Sequence, residues 1–287
     1  MQAELALKWD AIVGEGPVWD YRHQYLYWVD IIRGHLYRFD PATDKNQVYA
    51  IGQYVGAAVP RETGGLLLAL HHGFAFYDET TQTLTPISDP EADIPENRFN
   101  DGKVDPQGRF WAGTMQIEPK EPKGSFYQLD ANQQVTKKLE GIYISNGLAW
   151  SPDQQWFYYI DSLKHKIECY AYDGERGEIQ YVRDVAHIDT ELGDPDGMTI
   201  DNEGNLWVAV YGGGCILCIN PENGHILDRV DVPAKKTSCC TFGGPNLDTL
   251  YITTISEDTD KETDPLAGSL FVLKPGVLGP KANFYQG

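Results

Sequence analysis

The chain has 287 residues, 41% of them hydrophobic and 23% charged, the make-up of a soluble globular protein. Its 42 acidic against 23 basic residues give a formal net charge of −19. A field of that sign repels phosphate backbones and anionic lipid, which argues against nucleic-acid or membrane partners, and no apolar run reaches the roughly eighteen residues of a membrane span.

In chain order, residues 1–9 lack a basic region followed by an apolar stretch, so no secretory signal is visible. An aromatic-apolar phrase that follows a polar turn then recurs at 25–30, 65–70, 109–114, 155–161, 205–210 and 249–254. A second phrase trails it at 35–40, 125–130, 167–172, 215–220 and 269–274. Both read as short antiparallel strands bounded by turn residues. The spacing of roughly 40–50 residues marks a repeat architecture, and six units consume the chain. The expectation is an all-β, six-bladed β-propeller with four antiparallel strands per blade, one domain over 1–287. A β-sandwich does not account for a fixed period. A propeller is self-contained, so a monomer is expected.

Aligning the units on the turns that begin at Asp20, Asp105, Ser151 and Asp201 places Glu15, Asn100, Asn146 and Asp196 at one offset, each before its turn. The first strand of a blade lines the central channel, so the shared offset puts four oxygen donors at one level around one axis. Units two and six offer only Val55-Gly56 and Ser238-Cys239 there. Asn and Asp before Gly also occur as turn caps, but Glu has no such preference. Two neighbouring carboxylates repel each other without a cation. With amide oxygens they suit one divalent ion, Ca²⁺, Mg²⁺, Mn²⁺ or Zn²⁺, in the channel.

Other chemistries are not supported. There is no Gly-x-Ser-x-Gly elbow, His-Glu-x-x-His pair, phosphate loop or dinucleotide fingerprint. Cys215 and Cys218 share a strand-like run with no second ligand pair, and five reduced, buried thiols point to the cytoplasm. His71 and His72 read as structural. The acidic run 258–264 lacks the central Gly and final Glu of a calcium loop and reads as solvated.

The runs Gly14-Glu15-Gly16-Pro17, Arg98-Phe99-Asn100-Asp101-Gly102-Lys103, Ala112-Gly113-Thr114-Met115, Ser145-Asn146-Gly147, Pro195-Asp196-Gly197-Met198 and Thr237-Ser238-Cys239-Cys240 are similar to those of the regucalcin (senescence marker protein)/gluconolactonase family. The resemblance extends over essentially the whole chain. It implies a metal-dependent propeller that hydrolyses sugar lactones, D-glucono-1,5-lactone foremost. Its alternatives are other lactones or phosphotriesters, or a calcium-binding regulatory role. It also implies that Glu15, Asn146 and Asp196 hold the metal and that Arg98 and Asn100 contact substrate. Glu118 is the match for a further substrate contact, although the run 116–120 departs from the family pattern. On this reading Asp196 also serves as the catalytic base.

Overall fold

The computed structural model describes residues 1–287, which form 24 β-strands and one turn of 3-10 helix at Ser162–Lys164. Strand β1 (Glu4–Leu7) precedes blade 1, which is β2 (Gly14–Asp20), β3 (Tyr25–Asp30), β4 (His35–Asp40) and β5 (Lys45–Ala50). Blade 2 is β6 (Val55–Pro60), β7 (Leu66–Leu70), β8 (Gly73–Asp78) and β9 (Thr83–Ser88). Blade 3 is β10 (Asn97–Val104), β11 (Phe110–Gln116), β12 (Gly124–Leu129) and β13 (Val135–Ile142). Blade 4 is β14 (Ser145–Trp150), β15 (Trp156–Asp161), β16 (Lys166–Asp173) and β17 (Glu178–His187). Blade 5 is β18 (Asp194–Ile200), β19 (Leu206–Tyr211), β20 (Cys215–Ile219) and β21 (Ile226–Asp231). Blade 6 is β22 (Thr237–Gly243), β23 (Thr249–Thr254) and β24 (Leu270–Leu273), completed by β1.

Each inner strand packs beside the next, from β2 through β6, β10, β14 and β18 to β22, which returns to β2. This is the six-bladed propeller expected from the repeat. The ring closes through the chain's first strand: Glu4 stands opposite Val272 and Leu5 opposite Phe271. Pairing β1 with β24 removes the open edge that a linear set of blades would leave.

Six apolar clusters fill the seams between adjacent blades. The seam between blades 4 and 5, for example, joins Ile160 and Ile167 to Met198, Val208 and Leu217. Cys215 and Cys218 lie in different seams, so they face opposite sides of β20 and share no ligand position. All five thiols are buried and unpaired.

The turns that set the alignment are clamps. Asp105 accepts backbone N–H bonds from Gln107 and Arg109, both at 2.9 Å, and the indole N–H of Trp111 at 2.8 Å. Asp201 repeats this with Glu203, Asn205 and Trp207. One carboxylate thus ties an inner-strand turn to the aromatic core of the next strand. These clamps mark one face of the ring, and the starts of the inner strands mark the other.

After β24, residues 274–287 cross the clamp face beneath the channel. Gly279 N–H donates to Leu247 O at 2.9 Å, and Tyr285 and Gln286 donate to Pro60 O and Gly108 O, both at 3.0 Å. The repeat carried no sign of this strap.

Candidate metal centre and active site

Every inner strand carries a register irregularity at the same level: after Glu15, Val55, Phe99, Asn146, Pro195 and Thr237. A bulge inserts a residue, bends the strand and re-aims the side chain beside it. Here the bulges turn Glu15, Asn100, Asn146 and Asp196 into the channel, where each is only 4–7% exposed. That burial separates them from ordinary solvent-facing turn caps. Blade 2 presents Gly56 at this level because a Cβ there would lie 2.4 Å from Asn100 O and 2.6 Å from Phe99 O. Blade 6 presents Ser238, whose hydroxyl donates to Gly14 O at 2.6 Å.

Backbone anchors fix the entry to two of these strands. Asp30, fully buried at the end of β3, accepts the N–H groups of Ile12 and Val13 ahead of Glu15. Asp161, at the end of β15, likewise accepts those of Tyr143 (3.1 Å) and Ile144 (3.0 Å) ahead of Asn146.

The side chains form a directed chain. Arg98 donates to Asn100 Oδ1 at 2.7 Å, and Asn100 Nδ2 donates to Asn146 Oδ1 at 3.0 Å and to Ser145 O at 2.8 Å. Asn146 Nδ2 in turn donates to Ser162 Oγ at 2.8 Å. Ser162 opens the 3-10 turn after β15, so this turn orients the amide and aims its oxygen at Asn100 in the channel, where its second lone pair carries no protein partner. The oxygen of Asn100 is engaged by Arg98.

Asp101 is a further buried carboxylate of the cluster, acting on Glu15 and Asp196, that spacing did not single out. It lies one position beyond Asn100, 3% exposed, with one carboxylate oxygen accepting Gly102 N–H at 2.7 Å and the other unpartnered. Its signal was the acidic residue directly following an aligned channel residue. Glu118 lies apart from the cluster, on an exposed rim segment, with its carboxylate paired to Lys120 at 2.7 Å.

No three His, Cys, Asp or Glu side chains converge as a metal site by themselves, so any donor set here needs the amide oxygens. The electrostatics fit a cation. Glu15, Asp101 and Asp196 are all buried, and none has a Lys or Arg within ion-pair distance. Burial, then the charge of Asp101, pushes the Glu15 carboxyl up to about 8. Burial and then Glu15 raise Asp196 well above the usual carboxylate range. A divalent cation is the group that such a set accommodates, because its charge reverses both penalties. Arg98, pulled down to about 10 by lost hydration, still carries its charge at neutral pH.

Residues 13–256 match the family model described as the SMP-30/gluconolactonase/LRE-like region. Regucalcin from Xenopus laevis is 39% identical over 284 residues, covering 96% of this chain and 95% of that protein. The putative sugar lactone lactonase YvrE of Bacillus subtilis is 39% identical over 94% of both chains. The solved calcium-binding regucalcin of Agrobacterium tumefaciens superposes with a TM-score of 0.95 at 27% identity, covering 100% of this chain and 98% of that one. With the propeller and the channel cluster in place, these matches establish that the chain belongs to the SMP-30/gluconolactonase/LRE-like family.

Proposed function

We propose that the protein is a metal-dependent hydrolase of sugar lactones, with D-glucono-1,5-lactone as the principal substrate. The observation that carries this reading is the set of buried carboxylates with no Lys or Arg at ion-pair distance, set beside the Arg98–Asn100–Asn146 hydrogen-bond chain. The lactonase name of the Bacillus subtilis relative supports the substrate class.

Glu15, Asn146 and Asp196 would hold one divalent ion, Ca²⁺, Zn²⁺, Mg²⁺ or Mn²⁺. When bound, that ion supplies Lewis acidity toward an ester carbonyl. Asp196 keeps a carboxylate oxygen for the proton released when water attacks the lactone carbon, and later returns it to the ring oxygen as the ester bond breaks. Arg98 stands at the channel mouth with donors free for sugar hydroxyls or developing negative charge. Asn100, which links Arg98 to Asn146 through its amide, is assigned to substrate positioning. Glu118 would reach substrate only from the rim. Buried free thiols support a reducing compartment, the cytoplasm.

The test is turnover of several aldonolactones and a phosphotriester by the metal-loaded protein. Preferential hydrolysis of glucono-1,5-lactone supports the assignment. Failure on every lactone, or preference for the phosphotriester, contradicts it. A calcium-binding scaffold without catalysis has no use for an arginine poised over its cation site, so Arg98 favours the enzyme.

A further inference from the structure

The channel has a second chamber. At the clamp end, away from the metal level, a cavity of about 220 Å³ lies between the inner strands and the C-terminal strap, with Ala282 and Asn283 among its lining residues. It opens beside the exposed residues Pro152, Gln154 and Lys281.

Its walls are organised by the same register logic as the metal level. Three residues beyond Asn100, Asp196 and Ser238 stand Lys103, Thr199 and Thr241, paired with Trp111, Trp207 and Tyr251 of their neighbouring strands. Blades 1, 2 and 4 place Val18, Val59 and Ala149 at the equivalent positions. The ring is therefore polar on three blades and apolar on three.

The polar groups lack sufficient partners. Thr199 and Thr241 are each 9% exposed, both line the cavity, and neither hydroxyl bonds to any protein atom. Lys103 donates to Met198 O and forms no ion pair, so an ammonium with three donors retains two. Asp101, two residues away on the same strand, is not within ion-pair distance of it. Lys103 has no ion-pair partner, although its charge reaches Asp101 and Glu15 at the metal level; in a half-apolar chamber its two remaining donors favour an anion.

We propose that this chamber is a binding site for a small hydroxycarboxylate. The carboxylate takes the two free donors of Lys103 as charge-assisted hydrogen bonds, and carbon-bound hydroxyls meet Thr199 and Thr241. The apolar arc packs against the carbon chain. The volume lies below the roughly 300 Å³ at which pockets for drug-sized ligands begin, which limits the occupant to a compact acid. The site stands on its own geometry and does not depend on the lactonase reading.

The probe is sodium D-gluconate, titrated into the full-length, metal-loaded protein with labelled threonine methyl groups. The expected result is saturable shifts of the Thr199 and Thr241 methyl signals. Lys103→Met should weaken that binding at least tenfold, and Thr241→Val several-fold. Xylitol, a polyol without the carboxylate, and inorganic phosphate, an anion without the carbon chain, should each bind at least tenfold more weakly. A crystal of the wild-type protein soaked in gluconate should show the carboxylate against Lys103 Nζ, which decides the matter even if a variant fails to fold. An empty chamber in that crystal, unshifted methyl signals, or wild-type affinity in Lys103→Met would overturn the proposal. Phosphate or xylitol binding as tightly as gluconate would overturn the hydroxycarboxylate assignment.

Discussion

Glu15 concentrates the electrostatic conflict of the metal-free chain. Its carboxyl, pushed up to about 8 from 4.5 by burial and Asp101, binds its proton more tightly in the folded state than in the unfolded one. Such a group destabilises the fold as pH climbs above the unfolded value of 4.5, and the loss grows until pH passes about 8. Glu15→Gln should therefore flatten the fall in stability of the chelated protein across that window. At its upper end the variant should be more stable by about 1–3 kcal/mol in urea denaturation, while cation binding is lost. Arg98 makes the opposite kind of contribution. Arg98→Ala should lower kcat/KM for the lactone by roughly a hundredfold with cation affinity nearly unchanged, and Arg98→Lys should recover little, because lysine lacks the planar fork of donors. A parallel loss of cation affinity would move Arg98 into the metal site. At this scale the repeat offset identified Glu15, Asn100, Asn146 and Asp196 because all are oxygen donors at one register. Asp101 escaped it because the equivalent positions in other blades hold Gly16, Ala57, Gly147, Gly197 and Cys239, which share no chemistry.

Among the elements, the bulged inner strands determine whether the site assembles. Gly56 is the seat on which blade 3 rests, and no side chain could replace it without displacing backbone atoms of Phe99 and Asn100. Gly56→Ala should cost about 2–3 kcal/mol of stability and depress kcat more than its effect on folding explains, since Asn100 shifts with its backbone. Unchanged activity in a folded Gly56→Ala protein would show that the register of β10 is not tightly coupled to catalysis. The strand periodicity that revealed the blades could not reveal the bulges. Alternation describes a regular ladder, whereas a bulge is set by how neighbouring blades meet. The second and third strands of most blades were legible to within one or two residues, because Asp and Gly turn chemistry punctuates them. Strand β1 was not legible: the run Glu4–Leu7 is short and half-exposed, and only its pairing with β24 gives it a role.

For the whole molecule, closure of the ring is what holds six similar sheets around one channel. Removing residues 1–8 exposes the edge of β24, so the truncated protein should show a lower Tm and concentration-dependent association by light scattering. A monomeric product with unchanged Tm would mean that the seams alone maintain the ring. The repeat period reached this architecture from sequence, but the strap beneath the channel has no repeat partner and became visible only in three dimensions. The channel itself carries the central claim, that buried carboxylates and amides hold a divalent ion which enables lactone hydrolysis. The most direct test is glucono-1,5-lactone hydrolysis by chelator-stripped protein, before and after one divalent cation is returned. Turnover should vanish on stripping and return when one equivalent per chain is bound in the wild type, but not in Glu15→Gln. Full activity in the stripped protein, or restored activity in Glu15→Gln, would contradict it.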